Sequence, residues 1–210
     1  MKRFLVIALT ALLIFPVMSI AGDIKSLLMN PETKYERIFL NQPVNIRLDM
    51  LDYYTASSKN FTADERYSSP LRIDSLSETH VRFGSNTQLS VDYYLFANAR
   101  DTMIVQVLNT PVGNGDVSVE FVNLKTPDRT ETLNVDYTDW LKDPKLPSNE
   151  NAIRAAVPFV TARAEADPGK GILRLVNSAI EVPGLDEEIV SSFREELTFK
   201  WNGGKFVKQK

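Results

Sequence analysis

An α+β fold, with antiparallel meander sheets and helices packed on one face, is predicted by three features of this chain. Between Leu71 and Tyr137 apolar and polar residues alternate at period two in several runs, with turn residues between them. Before that stretch apolar residues recur three and four positions apart, the spacing of a helix face. After it the same order returns, helical spacing first and alternation second. Helix-plus-meander written twice points to two related halves, although residue identity between them is low.

The first 21 residues stand apart from this pattern. Lys2 and Arg3 give a positive start, Phe4 to Phe15 is apolar except for Thr10, and Pro16 ends the run. Ser19-Ile20-Ala21 then sets small residues before Gly22. That is the order of a secretory signal peptide. The apolar run is far shorter than the roughly 20 residues that span a bilayer, so no membrane anchor is expected in the mature form. The expected organisation is a signal peptide at 1–21, a first half at 22–140 and a second half at 141–210, the halves forming one compact unit. The expected location is the periplasm, with secretion as the alternative.

Composition narrows the classes further. The chain has no cysteine. Stability therefore rests on packing, and a chain of this length buries roughly 70% of its unfolded surface without a staple. Of 24 basic and 27 acidic residues, Lys2 and Arg3 leave with the leader, so the mature net charge is −5. A nucleic-acid binder needs a concentrated basic face, which this balance does not supply. Lys205, Lys208 and Lys210 form a small basic cluster that reads as a solvated end.

Each element follows from local chemistry. Asp23 is a candidate N-cap for a helix whose Ile24, Leu27 and Leu28 share a face and which Pro31 ends. A second helix is expected from Asn45 to Thr55, with Ile46, Met50 and Tyr54 on one stripe and Leu48, Leu51 and Tyr53 widening it. Strands follow around Leu89-Val91-Tyr93-Leu95, Met103-Val105-Val107, Val117-Val119-Phe121 and Leu133-Val135-Tyr137. Turns are expected at Gly84-Ser85-Asn86, Asn98 to Asp101, Gly113 to Asp116 and Pro127-Asp128. Asp139 to Asn149 reads as a linker, and Asn151 to Ala156 as a short helix. Phe159 to Ala166 and Ile172 to Ile180 flank a turn at Pro168 to Gly171. Leu185 to Phe193 has helical spacing, and Leu197, Phe199 and Trp201 lead into a hairpin at Asn202-Gly203-Gly204.

Candidate catalytic sets are few. Nucleophilic catalysis of the serine or cysteine kind needs a placed imidazole, and the chain holds one histidine. His80 falls on the polar register of its strand with Arg82 and is expected to be exposed. No G-x-S-x-G elbow and no phosphate-cradling loop is present. Zinc ligands are too scarce for a structural site, and Asn114-Gly115-Asp116 has the bend of a calcium loop without its ligands. No catalytic, metal or cofactor residue is therefore assigned, and no cofactor is expected. Asp49 and Asp52 share a helix side and read as a solvated face paired with Arg47.

Aromatic residues give the positive hint. Tyr94 and Phe96 sit on the register opposite Val91, Tyr93 and Leu95. They mark either a contact surface or a place where the sheet is covered on both faces. Trp140 and Trp201 read as core or domain-seam anchors.

Three parts of the chain carry a resemblance. Arg47-Leu48-Asp49-Met50-Leu51-Asp52-Tyr53-Tyr54, the strand train after it, and the closing Phe199-Lys200-Trp201-Asn202-Gly203-Gly204-Lys205-Phe206 resemble an exported domain-of-unknown-function family of Gram-negative gut and oral bacteria. The resemblance spans nearly the whole mature chain. It implies a periplasmic location and an α+β domain, and the family has no assigned activity to carry over. The expected role is a non-enzymatic binding, inhibitory or assembly module working through its sheet surface on an envelope protein or glycan. Tyr94 and Phe96 are its candidate binding residues, and a carboxylate-based carbohydrate-active enzyme is the alternative.

Overall fold

The computed structural model describes residues 22–30, 38–57, 71–85, 90–110, 116–143 and 150–209. Residues 1–21, where a signal peptide is expected, Leu89 and most of the expected Gly113 to Asp116 turn lie outside the described residues.

Helix α1 spans Ile24–Met29, and the Asp23 carboxylate caps it by accepting from the Ser26 amide at 2.7 Å. Helix α2 spans Val44–Ser57 and runs past the expected end at Thr55. Met50 and Leu51 are buried on its inner side, while Leu48 is exposed, so the apolar stripe is narrower than its spacing implies. Arg47 corrects a second expectation. Its guanidinium is buried and donates to the carbonyls of Leu27 and Asn30 at 3.2 Å each, so it seals the C-terminus of α1. Asp49 and Asp52 remain exposed. Between the two helices Phe39, Leu40 and Asn41 have φ of 54°, 56° and 56°. Left-handed backbone costs a residue with a Cβ about 1–2 kcal/mol. Here the buried Phe39 ring, packed edge-on to Tyr93 at 5.0 Å between centroids, holds the segment down.

Six strands then form one antiparallel sheet in chain order. They are β1 (Leu71–Leu76), β2 (His80–Ser85), β3 (Ser90–Ala97), β4 (Thr102–Thr110), β5 (Asp116–Asn123) and β6 (Thr130–Thr132). The Asn98 side chain makes the β3–β4 turn by accepting from the amides of Arg100 and Asp101. Gly84 is a correction, since it lies inside β2 and not in a turn. A Cβ there would stand 1.9 Å from Asp74 Oδ2 on β1, so a larger residue would have to push the Asp74 carboxylate aside.

The expected strand at Leu133 to Tyr137 is also corrected, because β6 stops at Thr132. Leu133, Val135 and Tyr137 still pack on the core, but Asp136 and Asp139 form a capping box that starts a 3-10 helix at Tyr137–Trp140. Trp140 enters the core from that turn, and the expected linker begins within it.

Helix α3 (Glu150–Ala156), β7 (Ala162–Asp167), β8 (Ile172–Asn177), α4 (Glu187–Ser192), β9 (Glu196–Trp201) and β10 (Phe206–Lys208) complete the chain. The four strands form a second antiparallel sheet in the order β10-β9-β8-β7. The fold is thus α+β with two antiparallel meander sheets. One face of the six-stranded sheet buries Val81, Phe83, Val91, Tyr93, Leu95 and Ile104 against Ile24, Leu28, Phe39 and Met50 of the helical layer. The other face buries Phe96, Val105, Val107, Val119 and Phe121 against Leu173, Leu175, Leu197, Phe199 and Trp201 of the second sheet. Trp140 and Trp201 both belong to this second core.

Candidate functional site

Two layers against one sheet leave β3 without a wet face. Val91, Tyr93 and Leu95 point to the helices, while Asp92, Tyr94 and Phe96 point to the side of the second sheet. Phe96 is 0% exposed and meets Trp201 and Phe206 edge-on, with centroids 5.9 and 5.2 Å away. Of the two readings open for Tyr94 and Phe96, a contact surface or a sheet covered on both faces, the second holds at Phe96. Tyr94 is half-buried, packs on the same core, and lies nearly parallel to the His80 ring at 4.5 Å.

Asp92 is the centre of the polar end of this face. Cross-strand register sets Arg82 opposite Asp92 and His80 opposite Tyr94. Asp92 is 0% exposed, yet both of its oxygens are occupied. Oδ1 accepts from His80 Nε2 at 2.6 Å and from Arg82 Nε at 2.8 Å. Oδ2 accepts from Arg82 Nη2 and Asn109 Nδ2, each at 3.2 Å. A carboxylate so placed is a pure acceptor, so Nε2 of His80 carries a proton and the ring is held in one orientation.

The electrostatics follow from that geometry. Burial alone would raise the Asp92 carboxyl, but hydrogen bonds from His80 and Arg82, and the charge behind them, hold it below 3.8. The hydrogen bond to Asp92 raises Arg82 above its usual value against the pull of burial. Burial first, then the Asp92 charge, pushes the Tyr94 phenol up to about 12. His80 is 22% exposed at its side chain and Arg82 45%, so the exposed histidine expected from the alternation is half-buried and bonded. Beside them Arg72 Nε binds Asp74 Oδ1 at 2.7 Å, extending the charged surface onto β1.

The arrangement fixes two cationic or protonatable groups on a rigid floor and presents their outer parts to solvent. Among the described residues no hydroxyl bonds the His80 ring, and no group of three or more His, Asp and Glu is placed to hold a metal. Sequence reasoning assigned no role to Asp92 and Asn109. The available signal was a single aspartate inside the otherwise apolar and aromatic run from Val91 to Phe96, since a charge in a doubly covered strand has to be buried and paired.

No family model matches the chain. No curated protein matches it either. A solved structure, described as a domain of an uncharacterized protein from Porphyromonas gingivalis W83, is similar to it with a TM-score of 0.56 at 17% identity, covering 90% of this chain and 99% of that one. The chain therefore shares its fold with an uncharacterised domain from a Gram-negative bacterium.

Proposed function

We propose that this chain is an exported, non-enzymatic binding, inhibitory or assembly module whose contact surface is the β2–β3 end of the six-stranded sheet, around His80, Arg82 and Tyr94. The observation that carries this reading is the saturation of Asp92, whose two oxygens are filled by three side chains in a fully buried setting. A carboxylate held this way and kept ionised is an anchor for its neighbours, not an acid or base for a substrate. The carbohydrate-active alternative needs two carboxylates facing one bond about 5–9.5 Å apart. Asp92 is committed elsewhere and gives that reading no support. Export rests on the order of charge, apolar run and small residues in 1–21.

Capture from an envelope extract tests the surface. His80→Gln and Arg82→Lys each keep a donor for Asp92 while changing what solvent meets, so the fold should survive both. Wild-type protein should retain an envelope protein or glycan, and the double variant should lose about tenfold in affinity while staying fully folded by circular dichroism at the temperature of the capture. Equal capture by both proteins, or turnover of a glycan by the wild type, would overturn the proposal. N-terminal sequencing of the exported protein should begin at Gly22, and a mature chain that keeps Phe4 to Phe15 would count against export.

A further inference from the structure

Each sheet ends in two edge strands, and three of these four edges are poor templates for pairing. β6 and β10 hold three residues each. β1 has a register shift between Ile73 and Ser75 that breaks its ladder. β7 differs from all of them. Its six residues, Ala162–Asp167, run in unbroken register along β8 with no proline or glycine among them. A regular edge of this kind invites another strand unless something blunts it.

The direction of its main chain is settled by one bond. The Ser178 amide donates to the Thr161 carbonyl at 3.0 Å, so Thr161 faces β8. Alternation then turns Arg163, Glu165 and Asp167 toward β8, and turns the amides and carbonyls of Ala162, Ala164 and Ala166 toward the open edge. Among the described residues these outward groups have no hydrogen-bond partner. The alanine side chains lie on the inner face, where Ala162, Ala164 and Ala166 pack on the core. Arg163 and Glu165 lie on the outer face, each about half exposed.

We propose that β7 is the seam of a two-fold homodimer, pairing antiparallel with β7 of a second copy about an axis at Ala164. In that register Ala164 faces its own copy and Ala162 faces Ala166, each pair exchanging two main-chain hydrogen bonds. Arg163 then stands directly opposite Glu165 of the second copy, and symmetry repeats the contact. Sliding the strands by the next allowed step sets Arg163 against Arg163, or Glu165 against Glu165. The charge pattern thus selects a second copy of this chain over an arbitrary strand, and selects one register. Arg163 also binds Glu181 at 2.8 Å, and Arg174 binds Glu165 at 3.1 Å. These exposed pairs flank the seam and neutralise it further. The product is one continuous sheet made of two four-stranded ones.

Sedimentation velocity on the purified protein tests this. The wild type should self-associate to a dimer as concentration rises. Ala164→Pro removes an outward donor at a position where an edge strand tolerates proline. It should weaken association by about tenfold or more without moving the melting temperature. Arg163→Glu should weaken it comparably by placing like charges across the axis, and Arg163→Glu with Glu165→Arg should restore it. The charge exchange does not depend on proline being accommodated. A wild type that stays monomeric at every soluble concentration would overturn the proposal. So would a dimer indifferent to Ala164→Pro in a folded protein, or a failure of the double exchange to recover what the single change loses.

Discussion

The phenol oxygen of Tyr93 accepts a hydrogen bond from the Leu40 amide at 2.9 Å, tying the left-handed segment before α2 to an inner strand of the six-stranded sheet. Burial raises the Tyr93 phenol far above its usual value, which keeps the hydroxyl in its neutral form at neutral pH. Tyr93→Phe keeps the ring against Phe39 and Phe83 and removes the acceptor alone. The loss leaves a part-buried amide unpaired and should cost about 1–3 kcal/mol in urea denaturation. A cost near zero would mean that the amide finds another acceptor and the tie is dispensable.

Asp92 predicts an acid-sensitive stability. A carboxyl whose folded pKa lies below its unfolded one adds stability that is fully present above the unfolded value and fades as pH falls through the folded value. Asp92 is held below 3.8 in the fold, so its window opens near that value and extends downward. Asp92→Asn should cost about 3 kcal/mol at neutral pH, and the gap to wild type should narrow below about pH 4. Denaturation series across that range would measure it, and a gap constant down to the acid limit would show that Asp92 is not ionised in the fold.

Gly84 predicts a coupled pair. Because a Cβ at this position would collide with the Asp74 carboxylate, Gly84→Ala should cost about 1–3 kcal/mol, with Asp74 displaced from Arg72. In an Asp74→Ala background most of that penalty should vanish, a positive coupling that a double-mutant cycle reads directly. Additive costs would place the strain elsewhere in β2.

Changing both Tyr94 and Phe96 to serine tests the second core. Phe96 is enclosed by Trp201, Phe206 and Met103, so the change opens a cavity and buries a hydroxyl. The melting temperature should fall by about 10 °C or more, followed by circular dichroism. A variant that melts like wild type would return Phe96 to an open face.

What is legible in the sequence is what local chemistry decides. The Asn202-Gly203-Gly204 hairpin forms as read, with Gly203 at φ +99° and the Asn202 side chain accepting from the amides of Gly204 and Lys205. The Asp23 cap and the Asn98 turn are equally local. Positions decided by another layer read differently. Alternation around Asp92 suggests one wet face, but the second sheet arrives from more than sixty residues further along and closes it. Arg47 looks like a partner for the nearby Asp49, yet it turns to carbonyls 17 and 20 residues back, which no spacing rule encodes. The run from Leu133 to Tyr137 keeps its strand-like periodicity because its apolar side chains do reach the core, while its backbone leaves the ladder after Leu133, whose amide still donates to the Val119 carbonyl.

The strict chain order of both sheets bears on how the molecule comes together in time. Every ladder joins a strand to the one made just before it. A chain emerging N-terminus first from a ribosome or a pore can therefore close each hairpin before the next strand arrives. Among the described residues the ten strands pair only with their neighbours in sequence, so loop-closure entropy stays low for each ladder. The single bridge between Leu141 and Phe193 closes a longer loop. The first sheet can be whole once β6 is out, offering its uncovered face as a template on which β7 to β10 then settle. With no cysteine in the chain, no disulfide has to form on the way from hairpins to the packed pair of sheets.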